Sequence, residues 1–405
     1  MKKSDNLFLT ELFKIKRFGK SPNLLVMEEI LNKLKNPHKN LKFIHIAGTN
    51  GKGSVSNYLS KILIEAGYKV GLYTSPFIHR FNERMKINDI EISDEELNEI
   101  GNKVLKIGQA LPYDVKQFDI ITCVAMEWFN KNNCDYVVLE AGMGGRGDST
   151  NIISPVLSVI TTIDLDHTKI LGTTVEEIAY EKAGIIKEDT PLIYYPTEYS
   201  KILIDECIKK NSRYSTIDTP TIIDKTTNGS KFLYKDKEYF VSMVGKYQVY
   251  NACMAIEVCE KLNVDYSFIK SGIRKMYLEG RFDIINDKPL IVADGGHNPQ
   301  GAKNLIETIN YLDIKNPVFI VSIYKEKDAD GYIKNLKSTG KILFSSFDDD
   351  LCYNPSELGE KYGCEYIGLD DAKKMVLNGN NNDSYIFCGY LYQISKIKSL
   401  FDKSR

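Results

Sequence analysis

A glycine-rich loop with a single lysine is the part of this sequence best suited to bind a phosphate. In the stretch HIAGTNGKGSVS, Gly48, Gly51 and Gly53 surround Lys52. The loop follows an apolar run, KFIHIA, and precedes apolar residues that recur at helical spacing. Between a strand and a helix, such a loop offers backbone N–H groups to a phosphate, and a lysine can reach its outer oxygens. The spacing departs from the usual P-loop because Ile46 stands where that pattern has its first glycine. We therefore favour a phosphate site over a plain glycine turn with a surface lysine.

A second glycine motif imitates a dinucleotide site. Gly142, Gly144 and Gly147 follow the apolar run YVVLEA and satisfy Gly-x-Gly-x-x-Gly. That fingerprint must open a helix, whereas DSTNIISP follows here and includes Pro155. A nicotinamide-dependent oxidoreductase would need a helix directly after Gly147, so this alternative is weak.

Two further groups that could bind a metal follow apolar runs. Glu140 ends YVVLE, and His167 stands beside Asp164 and Asp166 in TTIDLDHTKILG. Each alone is more typical of a solvated carboxylate or a structural histidine. Because parallel strands end at one edge of a sheet, both would approach Lys52, where a metal-bound triphosphate would lie.

A lysine falls on the apolar face of the predicted helix TTVEEIAYEKAGIIK. Thr174 and Glu177 form a capping box, and Lys182 follows Val175 by two turns. A buried lysine needs a partner or a modification, while a lysine near a helix end can also extend outward into solvent. The residues alone leave these two interpretations open.

The stretch IVADGGHNPQGAKNL places polar groups between another strand and helix. Asp294 and His297 end the strand and could contact a ribose or phosphate. Asn298 and Pro299 are also typical of a capped helix start. Both interpretations can hold together.

These groups need a sheet whose strands end on one side, and the pattern predicts one. Apolar runs such as KFIHIAG, KVGLYTS and VLSVITTID alternate with helical segments, which favours an α/β fold with a mostly parallel sheet. We expect an N-terminal P-loop ATPase-type domain, residues 1–285, and a smaller C-terminal Rossmann-like α/β domain, residues 286–405. Residues 213–245 read as short antiparallel strands attached to the first domain.

Composition excludes several classes of function. The 405 residues are 43% hydrophobic and 26% charged, with a net charge of −1, which gives no reason to expect nucleic acid or a membrane surface as partner. The eight cysteines contain no Cys-x2-Cys pair and the five histidines lack metal-site spacing, so we expect neither zinc nor a disulfide framework. There is no apolar run of 18 residues and no signal-peptide core, and we expect a cytoplasmic protein.

Taken in order, the motifs resemble those of the folylpolyglutamate synthase/dihydrofolate synthase family of the Mur ligase superfamily. The matching stretches run from residue 45 to 301: HIAGTNGKGS, YTSPFIHRFNERMKIN, LEAGMGGRGDSTN, IDLDHTKILG with IAYEKAGIIK, GKYQVYNA, EGRF and DGGHNPQG. FCGYLYQISKI looks like the family's closing Gly-Ser-Leu-Tyr segment. The shortened loop is itself a feature of this family.

The resemblance also implies roles for individual residues. ATP would be held by Thr49, Asn50, Gly51, Lys52, Gly53 and Ser54, with Asn251, Arg281, Asp294 and His297 around the nucleotide. Two magnesium ions would be bound by Ser75, Glu140 and His167. The catalytic residues would be Lys52, His167 and Lys182, the last as a carbamate.

The implied reaction is the ATP-dependent addition of L-glutamate to folates, and also to dihydropteroate, by a monomeric enzyme. The γ-phosphoryl of ATP would move to the acceptor carboxylate, and the amine of glutamate would then displace phosphate from the acyl phosphate. Positioning and charge stabilisation would carry the catalysis.

The sequence departs from the family pattern at four places, and the first two leave the pterin-side specificity open. Phe77 stands where His is usual, QFDIIT from Gln117 replaces a Thr-Phe-Glu opening, Tyr390 replaces Ser, and Gly296 replaces Ala. The number of glutamates added is equally open. The alternatives are another Mur-type ligase with a different carboxylate acceptor, and an ATP-binding regulatory module without ligation.

Overall fold

The computed structural model describes residues 7–17, 24–346, 351–380 and 382–401. The strands in these ranges are β1 (Phe43–Ala47), β2 (Val70–Tyr73), β3 (Met85–Ile87), β4 (Ile90–Glu91), β5 (Tyr136–Glu140), β6 (Leu157–Ile160), β7 (Leu192–Tyr194), β8 (Tyr214–Thr216), β9 (Thr221–Thr226), β10 (Gly229–Tyr234), β11 (Lys237–Val241), β12 (Asp283–Asp287), β13 (Leu290–Asp294), β14 (Pro317–Val321), β15 (Lys341–Phe344), β16 (Glu365–Tyr366) and β17 (Ser384–Cys388). The α-helices are α1 (Leu7–Leu12), α2 (Leu25–Lys33), α3 (Lys52–Glu65), α4 (Asp94–Gln109), α5 (Gln117–Lys131), α6 (Thr168–Leu171), α7 (Val175–Ala183), α8 (Ser200–Lys209), α9 (Lys246–Lys261), α10 (Tyr266–Lys275), α11 (Pro299–Tyr311), α12 (Ala329–Leu336), α13 (Pro355–Tyr362), α14 (Leu369–Asn378) and α15 (Gln393–Phe401).

The chain forms two compact units, each built from separate stretches of sequence. The first unit contains residues 1–218 and 251–273, and the second contains residues 219–250 and 274–405. No helix in the described ranges is long and apolar enough to span a membrane.

An eight-stranded sheet organises the first unit, in the order β4-β3-β2-β5-β1-β6-β7-β8. The strands from β2 to β8 in this order are parallel to one another, and β3 and β4 extend the β2 edge as antiparallel strands. All five residues of β1 are buried, as expected for an apolar strand covered on both faces of a parallel sheet. The predicted mostly parallel sheet is confirmed.

Helix α7 packs its apolar stripe into the core beside the end of β6. Ile178, Ala179 and Ala183 lie in one buried cluster with Ile160. The helix begins with the predicted capping box at Thr174, which satisfies backbone groups of the first turn. The position of Lys182 on this helix is therefore fixed by the packing of its neighbours.

A six-stranded sheet organises the second unit, in the order β12-β13-β17-β14-β15-β16. Only the β12–β13 pair is antiparallel, and the other pairs are parallel. The second α/β domain predicted from the sequence is confirmed. The predicted boundary after residue 285 falls inside β12, because Phe282 and Ile284 already pack into the core of this sheet.

A separate antiparallel sheet, β11-β10-β9, accounts for most of the 213–245 segment. The antiparallel strands are as expected, but the sheet belongs to the second unit and not to the first. Its contacts explain this difference. Ser230 Oγ lies 3.0 Å from the hydroxyl of Tyr311 on α11, and Lys225 Nζ lies 3.8 Å from a carboxylate oxygen of Asp313.

Candidate active site

The glycine-rich loop joins β1 to α3 at the carboxyl edge of the eight-stranded sheet. Gly51 caps α3 with a φ of 89°, and a Cβ there would lie 2.7 Å from Asn251 Oδ1. A Cβ at Gly48, where φ is 151°, would lie 1.7 Å from Thr161 Oγ1. Both positions therefore require glycine, because a side chain there would collide with the neighbouring residues. The first turn of α3 provides the N–H groups and positive dipole end that favour a phosphate.

Residues after β6 hold the loop in shape. The N–H of Thr49 donates to the carbonyl of Thr162 over 2.6 Å, and the Thr49 hydroxyl donates to the carbonyl of Asp164 over 2.9 Å. Asn50 donates its N–H to Thr162 Oγ1, and its carbonyl accepts from Thr161 Oγ1 at 2.8 Å. The loop is thus pre-formed by protein contacts.

The side chain of Lys52 folds back over the loop. Its Nζ donates to the carbonyl of Gly48 at 3.0 Å and to that of Thr49 at 3.1 Å. An ammonium held by two neutral carbonyls can exchange them for anionic phosphate oxygens, which are stronger acceptors. Ser54 lies buried in the same helical turn.

Glu140 ends β5, the strand beside β1, and only 3% of its surface is exposed. Its Oε2 accepts the N–H of Ser75 at 3.1 Å. A Cβ at Gly53 would lie 3.8 Å from the same oxygen. The structure therefore brings together the glycine loop and two of the three predicted metal ligands. The burial of an acidic side chain at this edge fits a magnesium site, because Mg²⁺ is held by one or two carboxylates together with phosphate oxygens.

His167, the third predicted metal ligand, lies in the loop before α6 with a φ of 51°. Its side chain is 38% exposed, and its Nε2 lies 3.9 Å from a carboxylate oxygen of Asp166. Within the described ranges, no three His, Cys, Asp or Glu side chains lie close enough to form a metal site by themselves. A magnesium ion here would need oxygens from the nucleotide or water to complete its coordination.

Lys182 is buried, with 2% of its surface exposed, so its side chain does not extend outward into solvent. Burial lowers the pKa of its amine to about 7, and the charge of Lys52 acts in the same direction. Asp166 and Asp148 oppose this effect. The three charged neighbours connect Lys182 electrostatically to the glycine loop and to the loop that bears His167. A substantial fraction of the amine is therefore neutral, and nucleophilic, near pH 7.

A buried network under the sheet edge was missed in the sequence. His45 on β1 lies with its Nε2 2.9 Å from Thr150 Oγ1, and Asp148 accepts the N–H of Thr150 at 3.0 Å. Asp148 also accepts the N–H of Met143 at 2.8 Å, so it closes the GMGGRGD loop on itself. Burial raises the pKa of Asp148, while these hydrogen bonds lower it. The Asp-Ser-Thr sequence, typical of a turn closed by an aspartate side chain, was the available signal.

The glycines of that loop do not open a dinucleotide-binding α-helix. After Gly147 the chain makes a short 3₁₀ turn, Ser149–Ile152, and then enters β6. A nicotinamide-binding site of the Rossmann type needs an α-helix directly after Gly147, and the chain does not form one there.

In the second unit, Asp294 organises a turn that contains Arg281. The Asp294 carboxylate is buried at the end of β13, where it accepts the N–H of Phe282 at 2.9 Å and that of Gly296 at 2.8 Å. Burial raises the pKa of Asp294, and the nearby charge of Arg281 opposes this effect. Asp294 therefore holds two backbone segments, the one that follows Arg281 and the one that precedes His297.

His297 lies two residues further on, with its Nδ1 3.0 Å from the carbonyl of Gly295. Asn298 is the N-cap of α11 and accepts the N–H of Gly301 at 2.8 Å, with Pro299 in the first turn. The capped helix start predicted for this stretch is present, and it leaves His297 in the loop between strand and helix.

Comparison with known proteins agrees with this architecture. The sequence-family model of the Mur ligase middle domain matches residues 46–259. The dihydrofolate synthase/folylpolyglutamate synthase of Bacillus subtilis (strain 168) is 34% identical to this chain, in an alignment that covers 94% of this chain and 95% of that protein.

Solved structures show the same fold. The crystal structure of folylpolyglutamate synthase from Thermotoga maritima covers 98% of this chain and 96% of its own, with a TM-score of 0.84 and 28% identity. E. coli FolC in complex with ADP covers 98% and 97%, with a TM-score of 0.88 and 25% identity. With these matches, the chain belongs to the folylpolyglutamate synthase/dihydrofolate synthase family of Mur ligases.

Proposed function

We propose that the protein is an ATP-dependent ligase that adds L-glutamate to folates and also to dihydropteroate. The observation that carries this proposal is the pre-formed glycine loop at the carboxyl edge of the first sheet, with the buried carboxylate of Glu140 beside it. The full-length relative named for both activities supports the choice of acceptors.

The loop residues would bind the triphosphate of ATP. Backbone N–H groups from Asn50 to Ser54 would meet phosphate oxygens at the start of α3. Lys52 would leave the carbonyls of Gly48 and Thr49 and bind the outer phosphates. This exchange places a positive charge where the phosphoryl group transfers, which lowers the cost of bringing an anionic acceptor to it.

Glu140, Ser75 and His167 are our proposed magnesium ligands, and we propose two ions. Magnesium, when bound, would neutralise phosphate charge. The protein's own contribution is a buried carboxylate that the Ser75 N–H orients before any ion arrives. Thr49, Ser54 and the side chain of Asn251 would complete the nucleotide site around the loop.

We also propose that Lys182 carries a carbamate. Its neutral amine would attack CO2, a N–C bond would form, and one proton would be released to solvent. The charge of Lys52, which disfavours an ammonium at position 182, would favour the carbamate anion in its place. The new oxygens would suit magnesium, which an ammonium would repel.

The reaction then proceeds in two transfers. An acceptor carboxylate oxygen bonds to the γ-phosphorus as the bond to ADP breaks, which gives an acyl phosphate and ADP. The amine of glutamate attacks the acyl carbon, loses a proton, and expels phosphate. Lys52 would stabilise negative charge on the transferring phosphoryl group, and Lys182 and His167 would act beside the acceptor carboxylate.

We also propose that the nucleotide is contacted by Arg281, Asp294 and His297. The hydrogen bonds of Asp294 to Phe282 and Gly296 favour a role in shaping the turn that holds Arg281. We further propose a monomeric, cytoplasmic enzyme, and sedimentation of the purified protein tests the oligomeric state.

The test is acceptor-dependent ADP release with ATP, magnesium and glutamate. Dihydropteroate and tetrahydrofolate are supplied separately, and we expect each to stimulate release and to gain one glutamate by mass spectrometry. If neither acceptor does so while an unrelated carboxylate does, the folate assignment is wrong and another Mur-type ligation is right. Nucleotide binding with no acceptor-dependent release would indicate a regulatory module.

A further inference from the structure

A lysine on the last helix sits among three polar side chains of a distant segment. Lys398 Nζ on α15 lies 2.8 Å from Asp283 Oδ2, 3.1 Å from Glu279 Oε1 and 2.9 Å from the hydroxyl of Tyr277. The Tyr277 hydroxyl donates to both carboxylate oxygens of Asp283 at 3.0 Å. We call these four residues the Lys398 cluster. It fits none of the roles assigned above.

The cluster is more than a surface ion pair. The side chain of Asp283 is 8% exposed and that of Glu279 is 20% exposed. Burial lowers the pKa of Lys398, but its hydrogen bonds with Asp283 and Tyr277 outweigh that effect and raise it. The ammonium therefore stays charged at every working pH and balances two shielded carboxylates. Without it, Glu279 and Asp283 would face each other as like charges.

The two carboxylates flank the turn that carries Arg281. The backbone of this turn is unusual, because Gly280 has a φ of 71° and Phe282 has a φ of 49°. A residue with a side chain in the left-handed region is strained, and this conformation persists only where surrounding contacts impose it. The turn therefore needs to be held.

The end of β13 holds the inner side of the turn. Phe282 donates its N–H to Asp294 Oδ2 at 2.9 Å, and Gly295 donates its N–H to the carbonyl of Gly280 at 2.9 Å. On the outer side of the turn, the ammonium of Lys398 contacts the carboxylates of both Glu279 and Asp283.

We infer that Lys398 is a positioning residue whose ion pairs fix the 279–283 turn, and through it Arg281, for binding of ATP. This inference rests on the proposed function, in which Arg281 contacts the nucleotide. Lys398 itself touches no substrate, so its loss should weaken nucleotide binding more than it slows the transfer step.

The test compares Lys398→Met, Lys398→Arg and Lys396→Met in the full chain. Lys396 is an exposed lysine on the same helix and serves as the matched control. We expect Lys398→Met to raise the KM for ATP about tenfold with kcat changed less than about twofold. The reason is that Lys398 affects ATP only by holding the turn that positions Arg281. Lys398→Arg should restore most of the affinity, and Lys396→Met should match the parent protein.

Amide hydrogen exchange provides a readout that needs no turnover. In Lys398→Met we expect faster exchange in the 279–283 turn, with unchanged exchange in β14 and β17 at the centre of the sheet. If Lys398→Met fails to fold, Glu279→Gln and Asp283→Asn are measured in its place, with the same expectation.

The outcomes separate the two ideas. If the parent protein releases no ADP with any acceptor, the proposed function fails, and the exchange data still decide whether Lys398 holds the turn. An unchanged KM for ATP in an active Lys398→Met variant overturns the inference. So does an equal rise in Lys396→Met, or an exchange increase spread evenly over the whole unit.

Discussion

Glu140 is the residue at which a metal role and a structural role can be separated most directly. Glu140→Gln keeps the size of the side chain and an oxygen for the N–H of Ser75, but it removes the charge that magnesium requires. We expect turnover to fall at least about a hundredfold while the midpoint of thermal unfolding moves by less than about 3 °C. ADP release and a melting curve on the same sample check this. His167→Ala should behave alike, and a parallel loss of stability and activity would instead indicate a structural role.

Substitution of Lys182 tests whether its side chain carries a carbamate or is an ordinary lysine. We expect Lys182→Ala to fold but to be nearly inactive, because the carbamate oxygens are lost together with the amine. Added acetate or formate should restore part of the turnover by occupying their positions. Lys169→Ala, at an exposed lysine of α6, is the control and should keep full activity. An unmodified, solvent-exposed lysine in a crystal with ATP and magnesium bound would contradict the prediction.

His45 makes stability depend on pH in a defined direction. Burial holds the pKa of its ring at about 3 in the folded protein, with Lys187 acting the same way, against about 6.5 in an unfolded chain. Between these values the unfolded state binds the extra proton, so the free energy of unfolding falls as pH drops below about 6.5, by up to about 1.4 kcal/mol per pH unit from this residue. Urea titrations at several pH values from 7 to 4 give the free energy of unfolding as a function of pH. Its slope against pH should be shallower for His45→Gln than for the parent protein. Identical slopes would mean that His45 is not held neutral.

At this scale the residue types were predictable and their surroundings were not. Lys182 could be placed on an apolar helix face by counting residues, but only the packing shows that its own side chain is shielded from solvent. His45 carries no spacing signal, because its importance comes from its burial and from a hydrogen bond to Thr150, 105 positions away in the sequence.

At the scale of elements, local patterns predicted local structure well. The strand–loop–helix around Lys52, the capping box at Thr174 and the cap at Asn298 are all present, since each depends on neighbours in sequence. The order of strands depends on pairing between distant segments, and the insertion of β1 between β5 and β6 could not be read from alternation alone. Phe77, one of the family departures, packs against the core of the first sheet, a contact that likewise no sequence pattern indicates.

The glycine loop supports a prediction with a closely matched control. Gly51 and Gly67 have φ values of 89° and 87°, but a Cβ at Gly51 meets Asn251 at 2.7 Å while one at Gly67 meets nothing within 4 Å. Alanine at either position pays the left-handed backbone cost, about 1 kcal/mol. We expect only Gly51→Ala to displace Asn251 and to raise the Kd for ATP by more than about tenfold, measured by calorimetry. Equal affinities in the two variants would show that the loop tolerates a side chain there.

At the scale of the whole molecule, two α/β units were predictable from the rhythm of strands and helices. Their composition was not, because the second unit gathers residues 219–250 as well as 274–405. Units built from separate stretches leave no break in composition where the chain passes between them. The predicted boundary after residue 285 lies inside β12, a strand of the second sheet.

That difference predicts which C-terminal fragment is stable. A fragment that begins at residue 286 loses most of β12 and with it Phe282, which is 2% exposed in the core of the second sheet. It also loses Glu279 and Asp283, so Lys398 keeps no partner from the cluster. A fragment that begins at residue 274 retains all of these contacts, and both fragments lack β9–β11, so their comparison isolates the contribution of residues 274–285. We expect the 286–405 fragment to be less stable by at least about 3 kcal/mol in urea, the usual cost of removing a buried aromatic side chain from a core, or not to fold. Equal stabilities would restore the boundary at residue 285 and would mean that β12 adds nothing to the folding of the sheet beside it.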